Sequence, residues 1–325
     1  MSEKVAVVTG ANKGLGFSVV KLLCQRFNGI VYLTCRSEKK GIEAVKKLNS
    51  LGLNPLFHLL DITDKTSIKK FADHIQTKHG YLDVLVNNAG IFEWEQVYPT
   101  YEAAKRNIDV NYRSLLNIEE YLYPLLRDGA RVVNVSSACG HLSNLKNKKW
   151  LSILTKEDLK IEDINNFVDS YLESVKNGTF KKEDFADDGK HAEHRVSKIA
   201  LTALTMVQQR KYNNRNISIN AVHPGYVNTE MAQGKGKVDP DEAAELILYL
   251  ILEASPNLRG VFLWHNKKLV DWYDVEVKNI HTMASFAAQA ALRSRWSSLI
   301  ESTSVDVPGE VTDGVRSVVG WLKQA

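Results

Sequence analysis

The sequence lacks most of the residues that mark a secreted, metal-bound or membrane protein. Only three cysteines, Cys24, Cys35 and Cys139, stand in 325 residues. They form no spaced pair of the kind zinc or a redox couple needs, so no metal is expected and free thiols in a reducing compartment are. Long apolar runs are missing too. The longest strongly apolar stretch, 243–252, carries Glu245 and is about half the ~20 residues that a membrane span requires. The first strand pattern starts at Val5, so no cleaved signal peptide is expected. Basic blocks are also absent. The net charge is +4 and the pI is near 8.7, and Lys146, Lys148 and Lys149 read as a solvated face. Without clustered cations or an aromatic ladder beside them, nucleic acid is not an expected partner. The remaining composition, 44% hydrophobic and 25% charged, is ordinary for a soluble cytosolic protein.

What is present is an alternation. Strand patterns at Val5–Val8, Ile30–Cys35, Leu56–Leu60, Val84–Asn87, Arg131–Val135, Ile217–Val222 and Val261–Trp264 alternate with helical ones. The helices are expected after Gly16 and at Lys39–Leu51, Ser67–His79, Tyr101–Arg127, Val196–Tyr212 and Asp241–Glu253. This order predicts one doubly wound α/β domain over 1–273, with a mostly parallel seven-stranded sheet covered on both faces. The segment 142–191 is too long for a plain connection. Ile164, Phe167, Val168, Tyr171, Leu172 and Val175 repeat there at helical spacing and Asn177-Gly178 closes the run, predicting a helical insertion packed on the domain or lying as a lid over a cleft. A C-terminal extension, 274–325, carries two amphipathic patterns. One runs through Ala288, Leu292, Trp296, Leu299 and Ile300, and the other through Val315, Val318, Val319 and Leu322. They are expected to dock on the domain or to bind a partner.

The motifs follow the strand ends. Thr9-Gly10-Ala11-Asn12-Lys13-Gly14-Leu15-Gly16 sits between a buried strand and a helix, where glycines allow a sharp turn, a close approach to a pyrophosphate and tight helix packing. A carboxylate at the end of the second strand would hold the free 2′-hydroxyl of NAD. Here that residue is Arg36, with Lys13 on the same side, and the two cations favour NADP(H). Asp61 is placed to accept from an adenine amino group, whereas Asp64 opens a helix and suits a cap. Asn87-Asn88-Ala89-Gly90 offers small residues beside the cofactor and amides able to bridge strand ends.

With Asn134-Val135-Ser136-Ser137 and Pro224-Gly225-Tyr226-Val227-Asn228-Thr229 added, the chain resembles the short-chain dehydrogenase/reductase family from its first strand to about Trp272. The insertion, Lys13 and Arg36 make it most similar to the monomeric NADPH-dependent carbonyl reductases within it. The resemblance implies a Rossmann-type fold and a small-molecule carbonyl substrate. It also implies a cofactor set of Gly10, Asn12, Lys13, Gly14, Leu15, Gly16, Arg36, Asp61, Ile62, Asn88, Ala89, Gly90, Lys198, Pro224, Gly225, Val227 and Thr229. In the family a serine polarises the carbonyl, a tyrosine gives the proton, a lysine lowers the phenol pKa and an asparagine completes a water relay. Carried over, these are Ser137, Lys198 and Asn111, but His194 occupies the tyrosine position. It keeps the i, i+4 spacing to Lys198. Its ring is shorter than a phenol, and the lysine cation disfavours imidazolium. Tyr171, Tyr226 and His223 have no spacing that assigns them the role. Two functions therefore stand at this point: a carbonyl reductase of aldehydes, quinones or ketones, and an NADP(H)-binding pseudoenzyme acting as an interaction or sensor protein. The insertion precedes the Lys198 helix and is expected to cover the face through which the family pairs subunits, predicting a monomer.

Overall fold

The structure is a computed structural model that describes residues 3–93, 99–185 and 189–276. Its elements run β1 (Lys4–Val8), α1 (Gly14–Arg26), β2 (Gly29–Cys35), α2 (Glu38–Asn49), β3 (Leu56–Leu59), α3 (Lys65–Lys78), β4 (Leu82–Asn87), α4 (Tyr101–Ile108), α5 (Ser114–Leu122) and β5 (Leu126–Val135). The insertion contributes α6 (Lys148–Leu154) and α7 (Ile161–Lys176). After it come α8 (Ala192–Tyr212), β6 (Ser218–His223), α9 (Pro240–Leu248), β7 (Phe262–Trp264) and β8 (Leu269–Val270). The strands form one sheet in the order β3-β2-β1-β4-β5-β6-β7-β8. All neighbours pair in parallel except β7 and β8. Val5 to Val8 are fully buried, as a central strand covered by helices on both faces requires.

The sheet has eight strands among the described residues, one more than the sequence pattern predicts. The extra strand, β8, is two residues long, too short to carry a period. The single helix expected over Tyr101–Arg127 is divided. A π turn, Asp109–Arg113, separates α4 from α5, and the chain leaves the helix at Tyr123–Leu125. Pro124 explains the stop, because its ring cannot donate to the preceding turn and crowds it, and Leu126–Arg127 then begin β5. A second π turn, Tyr249–Glu253, ends the helix that begins at Pro240. In the other direction, α8 starts at Ala192, before its expected apolar start at Val196. Glu193, His194 and Arg195 are buried there by packing that no local pattern records.

The described residues of segment 142–191 include the helices α6 and α7, and α7 turns its apolar side inward. Ile164, Phe167, Val168, Tyr171 and Leu172 are buried, and α7 lies against α4 and α8. A fully buried side chain of the size of Phe167 contributes about 2–3 kcal/mol, so this face is a structural seam of the domain. The helices expected beyond Ala288 lie outside the described residues. No helix of the described residues is long and apolar enough to cross a membrane.

Candidate active site

The C-terminal ends of β1 and β4 meet where the strand order reverses, the crevice in which doubly wound sheets bind ligands. Gly10 leaves β1 with φ +63°, and a Cβ there would lie 2.8 Å from the Ala89 backbone. Gly14 follows with φ +56°. A Cβ on Gly16 would approach the Asn88 amide nitrogen to 2.4 Å. The turn and the close contact both require glycine. Asn88 fastens the loop, with Nδ2 donating to the carbonyls of Thr9 at 2.9 Å and Gly10 at 3.2 Å. Thr9 Oγ1 accepts from the amides of Asn88 and Ala89 at 3.0 and 3.1 Å. One strand further, Asn87 Nδ2 donates to Asn134 Oδ1 at 2.8 Å. The first turn of α1 holds no acidic residue and no side chain caps it, which suits an anion at this helix N-terminus.

Around this crevice lie most of the expected binding residues. Leu15 and Ile62 are buried, Asn12 is half-buried and Arg36 exposed. Lys13 pairs with Glu230. Asp61 Oδ1 accepts from the Thr63 amide at 2.9 Å and its hydroxyl at 2.7 Å, while Asp64 caps α3 through the Thr66 amide. Pro224 and Val227 are buried and Gly225 has φ +91°. A Cβ on Gly14 would touch the Thr229 methyl at 3.1 Å, which brings the 224–229 loop onto the glycine loop.

The second cluster forms where β4, β5, α8 and the π turn converge. Lys198 Nζ donates to the Val135 carbonyl at 2.8 Å and lies 3.7 Å from where a Cβ on Gly90 would stand. Burial pulls its pKa down to about 8, with Cys139 acting weakly the other way. Asn111 sits in the π turn, a frequent device at functional sites. It holds both backbone groups of Ile91: its Oδ1 accepts from Ile91 N at 2.8 Å and its Nδ2 donates to Ile91 O at 3.0 Å. The same amide donates to Ser197 Oγ at 3.1 Å. Ser137, half-buried, caps the short turn Ala138–Gly140 through the Cys139 amide at 3.2 Å.

His194 is placed differently. It is 7% exposed, and its ring meets Phe92 edge-on at 4.7 Å. Its Nδ1 is buried without a hydrogen-bond partner. Burial first, then the charges of Lys198, His191 and Arg195, hold its pKa well below the ordinary value, against a backbone hydrogen bond at Ile91. At neutral pH the ring is an uncharged imidazole. Among the described residues, neither Tyr171 nor Tyr226 takes its place. Tyr171 stays in the insertion, packed against Phe180 and Phe185 with its hydroxyl buried, and Tyr226 is 42% exposed on its loop. His223 lies against Trp264 at 4.2 Å.

Sequence reasoning missed the supports. Ile91 and Phe92 lie beyond the Asn-Asn-Ala-Gly motif, and no period marks them. Gly140 is another: a Cβ there would stand 2.4 Å from Ser136 Oγ and 2.8 Å from the Lys198 carbonyl. Trp272 Nε1 donates to Gly140 O at 2.7 Å, and His141 bonds the Asp271 carbonyl through Nε2 at 2.8 Å. A glycine soon after a serine pair was the one available signal.

A glycine-rich crevice beside a buried lysine, a serine turn and an asparagine defines a dinucleotide-dependent class of α/β protein. The chain belongs to the short chain dehydrogenase family, whose model matches residues 4–148 and 193–239 and passes over most of the insertion. Among its relatives, carbonyl reductase [NADPH] 1 of Bos taurus is 38% identical over 83% of this chain and 99% of its own. Carbonyl reductase [NADPH] 3 of Mus musculus is 37% identical over 77% and 91%. Among solved structures, salutaridine reductase from Papaver somniferum superposes with a TM-score of 0.73 at 34% identity, covering 80% of this chain and 99% of that one. An NADPH-bound carbonyl reductase from chicken fatty liver gives 0.63 at 27%, covering 83% and 99%.

Proposed function

We propose that the chain is an NADPH-dependent oxidoreductase that reduces the carbonyl of small aldehydes, quinones or ketones. The observation that carries this reading is the 38% identity to a carbonyl reductase across nearly all of that protein, joined to a glycine turn at the point where the strand order reverses, packed so closely that Gly10 and Gly16 admit nothing larger than hydrogen. NADPH, when bound, supplies the hydride. Gly10, Asn12, Gly14, Leu15 and Gly16 with the amides of α1 hold the pyrophosphate, and Lys13 and Arg36 hold the 2′-phosphate. Asp61 and Ile62 face the adenine, Asn88, Ala89 and Gly90 line the adjoining wall, and Pro224, Gly225, Val227 and Thr229 close the far side. Lys198 orients the nicotinamide ribose, Ser137 polarises the substrate carbonyl, and Asn111 holds the Ile91 backbone that forms the roof.

The proton is the weak step. Neutral His194 has no acidic proton to give at pH 7, so water supplies it, and losing a positioned acid costs ~10²–10⁴-fold. Quinones and activated aldehydes tolerate that loss better than plain ketones do. The chain acts as a soluble cytosolic monomer in this reading, since α7 occupies the face beside α8. The second reading, an NADP(H)-binding protein with little turnover that acts through an interaction or sensor role, is favoured by the burial of His194 beneath Phe92. NADPH binding followed by fluorescence, and NADPH consumption with a quinone, an aldehyde and a ketone, decide between them. Consumption ordered quinone, aldehyde, ketone is expected. Tight binding without consumption of any of the three gives the second reading, and absence of binding removes both.

A further inference from the structure

The glycine loop and the loop after β6 are joined by charge. Lys13 Nζ pairs with the carboxylate of Glu230, 217 residues away. Glu230 opens a short turn, Glu230–Ala232, capped by the Thr229 hydroxyl, and Thr229 packs against Gly14. Lys13 first, and Lys40 on the first turn of α2 to a smaller degree, hold the Glu230 carboxyl below its usual range. Two more pairs continue the line away from the crevice. Lys21 meets Asp241 at 2.6 Å and Arg26 meets Glu245 at 2.6 Å. Those two staple α1 to α9, on elements that already pack together. Lys13 and Glu230 are 55% and 75% exposed in their side chains, and they link the glycine loop to the loop after β6. Arg36, exposed nearby, has no side-chain hydrogen bond or ion pair among the described residues.

We infer that Glu230 is a coenzyme-specificity residue: its carboxylate occupies Lys13 in place of the 2′-phosphate and must be displaced when NADPH binds. The inference rests on the assignment of Lys13 to that phosphate. NADPH has to break the Lys13–Glu230 pair and then meets the freed carboxylate beside its own dianionic phosphate. NADH, with a 2′-hydroxyl, does neither. Glu230 thus weakens NADPH selectively. Because the pair is exposed, the effect is modest and screened by salt.

The test is equilibrium binding of NADPH and NADH, by fluorescence, to the wild type and to Glu230→Gln, Lys13→Ala and the double variant. Glu230→Gln is expected to tighten NADPH by about 3–5-fold and NADH by less than about 1.5-fold, with the difference shrinking at high salt. In the Lys13→Ala background the same change is expected to have a smaller effect. Equal tightening of both coenzymes, or an unchanged NADPH affinity in Glu230→Gln while Lys13→Ala weakens it, overturns the inference alone. An unchanged NADPH affinity in Lys13→Ala overturns the assignment of Lys13, and the inference falls with it.

Discussion

The crevice between β1 and β4 and the cluster between β5 and α8 are built by different means. The first is made of backbone. Glycine conformations, strand-end amides and hydrogen bonds such as Asn88 to the carbonyls of Thr9 and Gly10 fix its shape. Removing one side chain there disturbs the turn that holds β1 to β4. The second is made of side chains that converge from β5, α8 and the π turn. Asn111, Lys198 and Ser137 each bond a backbone group of the surrounding elements, while His194, at the position where the proposed reaction needs an acid, is turned against Phe92. The turn thus depends on glycine conformation, whereas the cluster depends on which side chains its elements carry.

The largest test of that contrast is His194→Tyr. A phenol has the acidity and length the imidazole lacks, and the lowered pKa of Lys198, about 8, still leaves it mostly cationic at pH 7, able to favour phenolate. Turnover of a plain ketone is expected to rise ~100-fold or more, with NADPH binding unchanged. An unaltered rate would show that position 194 is not where the proton is missing. The next effect belongs to the crevice. Arg36→Ala is expected to weaken NADPH by about 10-fold, the scale of one charge-assisted hydrogen bond, and NADH by little. Equal weakening of both coenzymes in a titration would end the case for a 2′-phosphate contact at Arg36.

The same contrast governs what could be read in the sequence. The crevice is legible because backbone devices leave local marks: Gly10, Gly14 and Gly16 lie within one turn, directly after a strand of four apolar residues. The parallel order is legible from the alternation of strand and helix. The insertion is legible from the helical spacing of Ile164, Phe167, Val168 and Tyr171. The environment of the acid position is not. Phe92 and His194 meet across α8 from a loop with no period, Trp272 reaches Gly140 over 132 residues, and Lys13 finds Glu230 over 217. Contacts of that kind are set by the tertiary fold, so neighbours in sequence carry no trace of them. The electrostatic direction at His194 is an intermediate case. Its lysine neighbour is visible at i+4, but the larger cause, burial, is not.

A smaller effect tests how the side-chain cluster is held. Trp272 is 2% exposed and donates to Gly140, whose turn begins at Ser137 and abuts the Lys198 carbonyl. Trp272→Phe keeps the ring packing and deletes the donor. A buried hydrogen bond of this kind contributes about 1 kcal/mol, so kcat is expected to fall by ~5-fold while the NADPH Kd stays within error. A drop in NADPH affinity of the same size would mean that the substitution acts on the whole domain and not on the serine turn.

The smallest effect is on stability and lies wholly on the catalytic side. His141 is fully buried, bonded to Asp271 O and Ser143, and its pKa is pushed down to about 4 by burial. Between its ordinary value of 6.5 and 4, the unfolded chain takes up a proton that the fold refuses, so acidification lowers stability, by at most about 3 kcal/mol. Glu193 works the other way. Burial raises its pKa to about 6, so the fold binds a proton before the unfolded chain does, and stability rises by at most about 2 kcal/mol as pH falls from 6 to 4.5. The two nearly cancel, leaving a net loss of about 1 kcal/mol. His141→Gln removes only the first contribution, since the amide can still donate to the Asp271 carbonyl. Urea unfolding of the two proteins from pH 7 to 4 is expected to show the variant gaining on the wild type throughout the descent. A constant difference would mean that His141 does not resist protonation in the fold, and the acid sensitivity of the Ser137 side would then have another source.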